Sequence, residues 1–274
     1  MTSRASRVPE LLDDAAARLT RAGVDTPRLD AELLLAEVLG GGRERLVLRD
    51  SSEVVDQASV SAFQALLERR LNREPVAYIL GRRAFRWIEL AVDRRALIPR
   101  PETELLVEVG LELELGARVV DVGTGSGAVA LALKVERPDL EVTGTDACAG
   151  AVALARENAA RLGLEVEFRQ ADLLLGLPGG FDAVLANLPY VAEGSELAPE
   201  IARYEPVQAL FAGPDGLEVI RRLTAMLDRV GLVALEVGFD QASAVERLLR
   251  QAGFARVERR RDLAGHERVA VGRR

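Results

Sequence analysis

The feature that most constrains the fold is an apolar run that passes directly into glycines at alternate positions, Val119-Val120-Asp121-Val122-Gly123-Thr124-Gly125-Ser126-Gly127. Its apolar residues are typical of a strand that is buried on both faces, as in a parallel sheet. Glycine lets the chain turn tightly, and the apolar spacing from Ala128 to Val135 predicts a helix after the turn. A strand, a tight turn and a helix in this order indicate a parallel sheet with helices packed on it.

The same alternation continues from Gly116 to the end of the chain. Short apolar or alternating segments predict strands at 118–122, 141–145, 166–169, 181–186, 232–237, 256–260 and 268–271. Segments of helical period lie between them at 128–135, 149–162, 217–227 and 242–252. Residues 99–274 are therefore predicted as an α/β domain with a largely parallel sheet and helices on both faces.

The chain before this domain has mainly helical period. Apolar residues recur at helical spacing in three segments, 9–22, 27–39 and 54–71. Thr26 offers an N-cap for the second segment, with Pro27 at its first helical position. Residues 1–74 are therefore predicted as a small helical domain.

A different pattern separates the two predicted domains. From Pro75 to Val92, apolar residues alternate or form short runs around Gly81, which predicts a pair of strands. We interpret residues 75–98 as a β-hairpin that bridges the domains. Two prolines in Leu97–Glu104 forbid a regular interior element, and Pro101 can open the helix that follows. This connector is predicted to be rigid.

Composition narrows the class of protein. The 274 residues are 49% apolar and 29% charged, which is typical of a globular protein. Cys148 and His266 are alone of their types, so an internal disulfide and a cysteine-built zinc site are excluded, and no metal is expected. A net charge of −7 disfavours stable nucleic-acid binding. Without a bilayer-length apolar run or a signal-peptide stretch, we expect a cytoplasmic protein that does not bind membranes.

The glycine-rich turn predicts a site for a nucleotide-like ligand. Glycines let the backbone approach a ligand, and the helix that follows is expected to point free N–H groups into the same crevice. The turn residues assigned to the cofactor are Gly123, Thr124, Gly125, Ser126 and Gly127. Gly123, Gly125 and Ala128 also match the relaxed dinucleotide fingerprint, so an NAD enzyme and a methyltransferase both fit this motif.

Acidic residues after the next two strands extend the predicted site. Asp146 ends the second strand, where a carboxylate can accept hydrogen bonds from both ribose hydroxyls; its alternative role is to cap the following helix. Asp172 can accept from an adenine amino group while Leu173 packs on the ring, although an Asp there is also a common turn residue. Both positions support adenosine as part of the ligand.

Asn187-Leu188-Pro189-Tyr190 directly follows an apolar strand and is therefore expected at the carboxyl edge of the sheet, facing the glycine-rich turn. The Asn187 side-chain oxygen and the Leu188 carbonyl could together accept both N–H bonds of a planar NH₂ group. Pro189 restricts the turn, and Tyr190 offers a flat face for the acceptor. We assign these four residues to catalysis and Asn187 also to the cofactor; a plain Asn-Pro type of turn is the alternative.

Together these segments resemble the release factor glutamine N5-methyltransferases, a family of class I, S-adenosylmethionine-dependent enzymes. The likeness spans nearly the full length and includes the helical domain, Gly81 and Phe85 in the hairpin, Leu97–Glu104, Asp121–Gly127, Asn187–Tyr190 and Tyr204-Glu205-Pro206. Two positions depart from the family pattern. Leu188 stands where the family usually has proline, and Arg86 stands where it usually has an aromatic residue.

The resemblance implies a seven-stranded Rossmann-like sheet of order 3-2-1-4-5-7-6 whose last strand is antiparallel. It implies that Phe85 and the connector close over S-adenosylmethionine, and that the helical domain helps to dock a protein substrate. The implied reaction is methyl transfer to a glutamine amide nitrogen of class 1 peptide chain release factors. Glu205 is a further candidate near the site, although an exposed Glu before a proline is the commoner case.

Two other functions remain open at this point. An N6-adenine methyltransferase acting on RNA or DNA also has a planar amino acceptor, and Asn-Leu-Pro-Tyr resembles the motif of rRNA adenine dimethyltransferases. The acidic composition and the helical domain argue against it. The second is a binding module that responds to the cofactor without catalysis. In such a module, the predicted hydrogen-bond acceptors at Asn187 and Leu188 would have no evident use.

Overall fold

The chain is organised as two units, each with its own set of internal contacts. The computed structural model describes residues 6–48 and 54–274. The helical unit consists of the described residues up to Gly81 together with Leu197–Tyr204. The sheet unit consists of Arg82–Glu196 and Glu205–Arg274.

The secondary structure follows the predicted change from helices to alternating strands and helices. The strands are β1 Ser6–Arg7, β2 Val54–Val55, β3 Arg82–Phe85, β4 Ile88–Ala91, β5 Arg118–Val122, β6 Glu141–Asp146, β7 Glu167–Gln170, β8 Ala183–Ala186, β9 Leu232–Glu236, β10 Arg256–Arg261 and β11 Glu267–Arg273. The helices are α1 Val8–Arg21, α2 Pro27–Leu39, α3 Arg43–Leu48, α4 Gln57–Leu71, α5 Val76–Leu80, α6 Glu104–Leu111, α7 Ala128–Glu136, α8 Ala149–Leu162, α9 Pro199–Tyr204, α10 Glu218–Thr224 and α11 Ala242–Gln251. Short 3₁₀ turns lie at Pro101–Thr103 and Val207–Ala209. Among these described helices, none has both the length and the apolar character that a bilayer crossing requires.

The three predicted helices of the N-terminal part are present as α1, α2 and α4. Their apolar faces meet in a core that includes Leu19, Leu34 and Phe63, which are fully buried. Thr26 is the N-cap residue of α2, but its hydroxyl donates to the Asp30 carboxylate (2.8 Å) and caps no backbone N–H. The short helix α3 and the two-residue pairing of β1 with β2 are additional to the prediction.

Leu197–Tyr204, which contains α9, belongs to the helical unit although it follows β8 in the chain. The guanidinium of Arg73 donates to both carboxylate oxygens of Glu200, each at 2.7 Å. Arg70 is buried between the Asp30 carboxylate at 2.7 Å and the Glu200 carboxylate at 2.9 Å. Because a buried cation is stable only with such partners, this ion-pair group ties Leu197–Tyr204 to the helical unit.

The strand predicted at Val76–Leu80 is wrong, because this segment forms the helix α5. Short apolar runs fit a buried helix as well as a strand, so periodicity alone could not decide. The flanking residues do decide: Pro75 is the N-cap residue, and Gly81 takes the left-handed conformation (φ 69°) that ends helices. The hairpin itself is present but shorter than predicted, with only β3 and β4.

The main sheet has seven strands in the order β7-β6-β5-β8-β9-β11-β10. Numbered along this sheet alone, the order is 3-2-1-4-5-7-6, as predicted, and β11 runs antiparallel to its neighbours β9 and β10. Four of the five β5 residues and all residues of β8 and β9 are buried. Because β5, β6, β8 and β9 pair in parallel, their carboxyl ends share one edge of the sheet.

Candidate active site

A cavity of about 280 Å³ lies at the carboxyl ends of β5, β6 and β8. Its lining includes Arg95–Pro99, Thr103, Asp121–Ser126, Asp146–Cys148, Asp172, Leu173, Asn187–Pro189, Pro206 and Arg222. All of these residues belong to the sheet unit. Open α/β sheets bind ligands at this edge, so the cavity is the candidate active site.

The glycine turn, Gly123–Gly127, is built from left-handed backbone. Gly123, Gly125 and Gly127 have φ values of 74°, 57° and 86°, which residues with side chains adopt only with strain. A Cβ at Gly123 would lie 3.2 Å from the Asn187 carbonyl oxygen and 3.1 Å from Leu188 Cδ2. The missing side chain therefore lets the turn after β8 approach the turn after β5, and the two turns face each other as predicted.

The amide groups of the glycine turn are largely engaged within the protein. The amides of Gly123 and Thr124 both donate to the Thr145 carbonyl at 2.8 Å, and that of Gly125 donates to Asp146 Oδ2 at 3.0 Å. The N–H groups expected to be free were those at the start of α7, and of these the Ala130 amide donates to Asp121 Oδ2 at 3.2 Å. The Gly123, Thr124 and Gly125 amides therefore shape the loop and are not free to bind a ligand phosphate.

Asp146 lies at the cavity wall, half-buried at the end of β6. Oδ1 accepts from the Cys148 amide at 2.8 Å, and Oδ2 accepts from the Gly125 amide. Burial raises the pKa of Asp146, and these two hydrogen bonds act against that rise. A carboxylate has about four acceptor positions, so capacity remains for hydroxyl donors of a ribose. Fixing the loop before α8 and holding a ribose are compatible roles.

Asp172 and Leu173 also line the cavity, in the turn after β7. Asp172 Oδ2 accepts from the Arg222 guanidinium at 2.5 Å, a contact that the sequence did not predict. Leu173 is buried and has a left-handed backbone (φ 57°), which is uncommon for a residue with a branched side chain. The surrounding fold holds this strained turn, which places Leu173 at the cavity wall.

On the opposite side of the cavity, Asn187 belongs to a group of four side chains that we call the acceptor network: Thr103, Asn187, Tyr190 and Glu236. Asn187 Nδ2 donates to Thr103 Oγ1 at 3.1 Å. Thr103 Oγ1 donates to Glu236 Oε2 at 2.7 Å. Tyr190 Oη lies 3.5 Å from Glu236 Oε1. The sequence drew attention to Asn187 and Tyr190, but Glu236 was not predicted and Thr103 was noted only as part of the connector.

The acceptor network has unusual electrostatics because its acid is buried. Glu236 is 2% exposed at the end of β9. Burial raises the pKa of Glu236 to about 7, the hydrogen bond from Thr103 acts against that rise, and the Glu102 carboxylate adds to it. Burial, with the Glu236 charge adding to it, raises the pKa of Tyr190 to about 12. An acid that titrates near neutral pH thus stands one side chain away from Asn187.

The structure does not bring every predicted residue to the cavity. Phe85, Gly127 and Tyr190 are absent from its lining, and Phe85 is buried at 2% exposure instead of standing at the opening. Gly127 is the N-cap residue of α7, so its part is in the turn itself. Glu205 is buried, contrary to the exposed position considered above; it accepts from the Arg100 guanidinium and from the Ile98 amide (3.2 Å). It therefore holds the connector in place.

Comparisons with known proteins agree with this geometry. Family models match the chain as the PrmC N-terminal domain over residues 10–81 and as the methyltransferase small domain over residues 101–204. The sheet order, the glycine turn and these matches define a class I methyltransferase, and S-adenosylmethionine is the cofactor of that class. A release factor glutamine methyltransferase from Deinococcus radiodurans is 44% identical over 275 residues, which covers 97% of this chain and 98% of that protein. The chain belongs to the release factor glutamine methyltransferase family.

Two further comparisons show likeness of different extent. A release factor glutamine methyltransferase from Pseudomonas aeruginosa is 45% identical over 266 residues, 90% of this chain and 94% of that protein. The crystal structure of a methyltransferase from Pyrococcus furiosus is 19% identical, with a TM-score of 0.52 over 66% of this chain and 86% of that chain. The second likeness shows a shared fold over that part of the chain.

Proposed function

We propose that this chain transfers a methyl group from S-adenosylmethionine to the side-chain amide nitrogen, N5, of a glutamine in a peptide chain release factor. The names of the close relatives supply the substrate class. The observation that carries the proposal is the close approach of the Asn187 turn to the glycine turn at Gly123, within one cavity. This approach supports a reaction in which an acceptor amide held by the Asn187 turn lies beside a nucleoside bound at the glycine turn.

The residues that line the cavity offer groups that suit each part of this cofactor. Asp146 keeps acceptor capacity for ribose hydroxyls, and Gly125 leaves space where a side chain would stand. Asp172 and Leu173 supply an acceptor and an apolar wall for an adenine ring. S-adenosylmethionine supplies an electrophilic methyl carbon, whose bond to sulfur breaks as the bond to nitrogen forms. The nucleophile must come from the substrate, and the protein must place it.

A carboxamide nitrogen is a weak nucleophile because its lone pair is delocalised into the carbonyl. Asn187 Oδ1 and the Leu188 carbonyl accept its two N–H bonds, which holds the nitrogen in line for reaction. The same two acceptors stabilise the positive charge that the nitrogen gains in the transition state. Tyr190 borders the acceptor amide in this proposal, and the nitrogen then releases a proton to solvent. Alignment is therefore the main catalytic contribution of the chain.

The helical unit has a different part in the same proposal. It has its own hydrophobic core and its own family match, while every residue that lines the cavity lies in the sheet unit. We assign it to docking of the release factor. Removing the helical unit is a poor test of this assignment because Leu197–Tyr204 would lose its ion-pair partners. Charge reversals at exposed positions of α1 are a better test, and we expect them to raise KM for the release factor.

Mass spectrometry of purified release factor after incubation with the chain and labelled S-adenosylmethionine tests the reaction. We expect one added methyl group on a glutamine side chain, and no label in RNA or DNA oligonucleotides offered in parallel. Protease treatment of the product should release the label, whereas nuclease treatment should not. Label confined to adenine would replace the proposal by the N6-adenine function, and cofactor binding without any transfer would indicate a binding module.

A further inference from the structure

The hydrogen bonds of the acceptor network determine which end of the Asn187 side-chain amide faces the substrate. An asparagine amide has a donor end and an acceptor end, and only the acceptor end can grip an incoming NH₂ group. A half-turn of this amide would present two N–H bonds to two N–H bonds. Catalysis therefore needs a device that keeps the oxygen of Asn187 toward the acceptor.

The chain contains such a device. An ionised carboxylate only accepts hydrogen bonds, so Thr103 Oγ1 must give its single proton to Glu236, 2.7 Å away. The Thr103 oxygen can then only accept from Asn187, which turns Nδ2 toward it at 3.1 Å. No hydrogen-bond partner for Asn187 Oδ1 is found among the residues that the structure describes, and this oxygen is not among the buried atoms without a partner. The acceptor end is thus left accessible.

We propose that Glu236 and Thr103 are positioning residues that lock the Asn187 amide with its oxygen toward the substrate nitrogen. This inference rests on the proposed function. Glu236 is almost fully buried, and among the described residues that line the cavity only Thr103 forms a hydrogen bond with it, so Glu236 acts through that residue. Neither residue exchanges a proton with the substrate in this scheme.

The charge state of Glu236 decides whether the lock holds. The titratable and charged groups that face it are Glu102 and Arg100 from the connector, Tyr190 after β8 and Arg268 on β11. Burial raises the pKa of Glu236 to about 7, so it is ionised above that pH and protonated below it. A protonated Glu236 can donate to Thr103, which then donates to Asn187 and favours the reversed amide. The active form is therefore the ionised one, and kcat rises with pH through about 7.

The experiment compares Glu236→Gln, Thr103→Val, Thr103→Ser and the control Thr224→Val, each as the full chain with purified release factor. Thr224 is a matched control because it is a buried threonine outside the cavity lining whose hydroxyl donates to the Arg221 carbonyl at 2.9 Å. Calorimetric affinity for S-adenosylmethionine and thermal melting establish that each variant is folded. Values of kcat and KM are then measured from well below to well above pH 7.

For the wild type we expect kcat to fall as the pH drops below about 7 and to level off at a lower plateau set by the protonated form. Thr103→Val should lose about tenfold in kcat above that pH, with unchanged cofactor affinity, and Thr103→Ser should restore most of it. Glu236→Gln keeps an acceptor oxygen that does not titrate, so its kcat should be flat with pH at a lower plateau. Thr224→Val should match the wild type.

An independent readout is the NMR signal pair of the Asn187 Nδ2 amide in the chain without substrate. It should shift with pH at the wild-type midpoint and lose that shift in Thr103→Val and Glu236→Gln. The inference would be overturned if kcat of Glu236→Gln still fell below pH 7, or if a folded Thr103→Val had the kcat of the wild type. So would a pH-independent Asn187 signal in the wild type. Absence of glutamine methylation by the wild type would instead overturn the proposed function, while the NMR titration would still test the lock.

Discussion

The two sides of the cavity are held in different ways. On the side of β5 and β6, backbone groups determine the shape of the cavity: the amides of the glycine turn donate to Thr145 and Asp146, and the glycines adopt left-handed conformations. On the side of β8 and β9, the shape depends on side chains that contact one another, from Thr103 to Asn187 and Glu236. Each side also contains a buried acid: burial raises the pKa of Asp121 on β5 to about 6 and the pKa of Glu236 to about 7. Binding and catalysis are therefore expected to respond differently to mutation and to pH.

The largest effect expected from this difference is on turnover alone. Asn187→Ala should lower kcat by about 100-fold or more, because the acceptor nitrogen loses its alignment. Affinity for S-adenosylmethionine should fall far less than kcat, since the glycine turn and Asp146 remain even though Asn187 is also assigned to the cofactor. Single-turnover kinetics beside calorimetry separate the two quantities. Equal losses in both would mean that the two sides do not act separately.

The second prediction concerns stability and pH. The pKa of Glu236 is raised from 4.5 to about 7 in the folded state, so folding favours the protonated acid. The contribution of this acid to the free energy of unfolding is therefore complete below pH 4.5 and is lost as the pH rises through 7. Glu236→Gln lacks this loss, so its free energy of unfolding relative to wild type should increase by about 3 kcal/mol across that interval. Urea denaturation at several pH values measures it.

The exposed Glu193→Gln serves as the matched control for that series. A difference between Glu236→Gln and wild type that is constant with pH would show that the buried acid does not titrate in this interval. The acceptor side would then lack the pH dependence that we infer for it.

The third prediction applies to the other side of the cavity. Asp146→Ala should weaken S-adenosylmethionine binding by about 1–3 kcal/mol, the usual cost of losing hydrogen bonds to a charged group. Saturating cofactor should recover most of the turnover, because the acceptor network is intact. Asp228→Ala, at an exposed loop position, is the control. Unchanged affinity in Asp146→Ala would remove this residue from the binding site.

A fourth pair of variants asks how closely the two sides are coupled. Gly123→Ala and Gly163→Ala both force a side chain into left-handed backbone, at φ 74° and 66°, which costs about 1–2 kcal/mol in each case. A Cβ at Gly163 has no atom within 4 Å, whereas one at Gly123 would press on the Asn187 carbonyl. Only Gly123→Ala should therefore also lower kcat. Identical kinetics for the two variants would mean that the Asn187 turn adjusts freely.

The smallest effect on turnover is expected for Leu188→Pro. Position 188 acts through its backbone carbonyl, which proline keeps, so kcat should fall far less than in Asn187→Ala. Leu188 is 4% exposed and packs in the core of the sheet unit, so we expect the smaller ring to lower stability by about 1 kcal/mol. Parallel assays with release factor and adenine acceptors check the role. A switch of acceptor would make leucine a specificity residue.

The same contrast explains what could be predicted from the sequence. The glycine turn, Asp146 and Asp172 are local features, since each follows a strand that its own apolar pattern reveals. The acceptor network is not local, because Thr103 lies 84 positions from Asn187 and 133 from Glu236. A glutamate at the end of a buried strand was the available signal for Glu236, but only the sheet order shows that it reaches Asn187.

One error has an equally physical cause, and one assignment made from resemblance stays a prediction. The Val76–Leu80 segment was assigned to a strand because short apolar runs have no decisive period, although Pro75 and Gly81 marked a helix start and a helix end. Phe85 was assigned to the cofactor from resemblance alone; in the structure it ends β3 of the hairpin, is buried and does not line the cavity. The register of β3 against β4 sets which face of the hairpin a side chain takes, and sequence pattern does not fix that register in so short a hairpin.

The ion pairs of Glu200 have a consequence for recombination between homologous genes. The methyltransferase small domain match runs to residue 204, yet Leu197–Tyr204 shares its buried charges with Arg70 and Arg73. A chimera with a single crossover near Gly81 would combine this Glu200 with residues 1–81 of a homologue. The Glu200 carboxylate would then have ion-pair partners only if the homologue carries basic residues at positions 70 and 73. The inherited module is therefore discontinuous, and functional chimeras should require two exchanged segments.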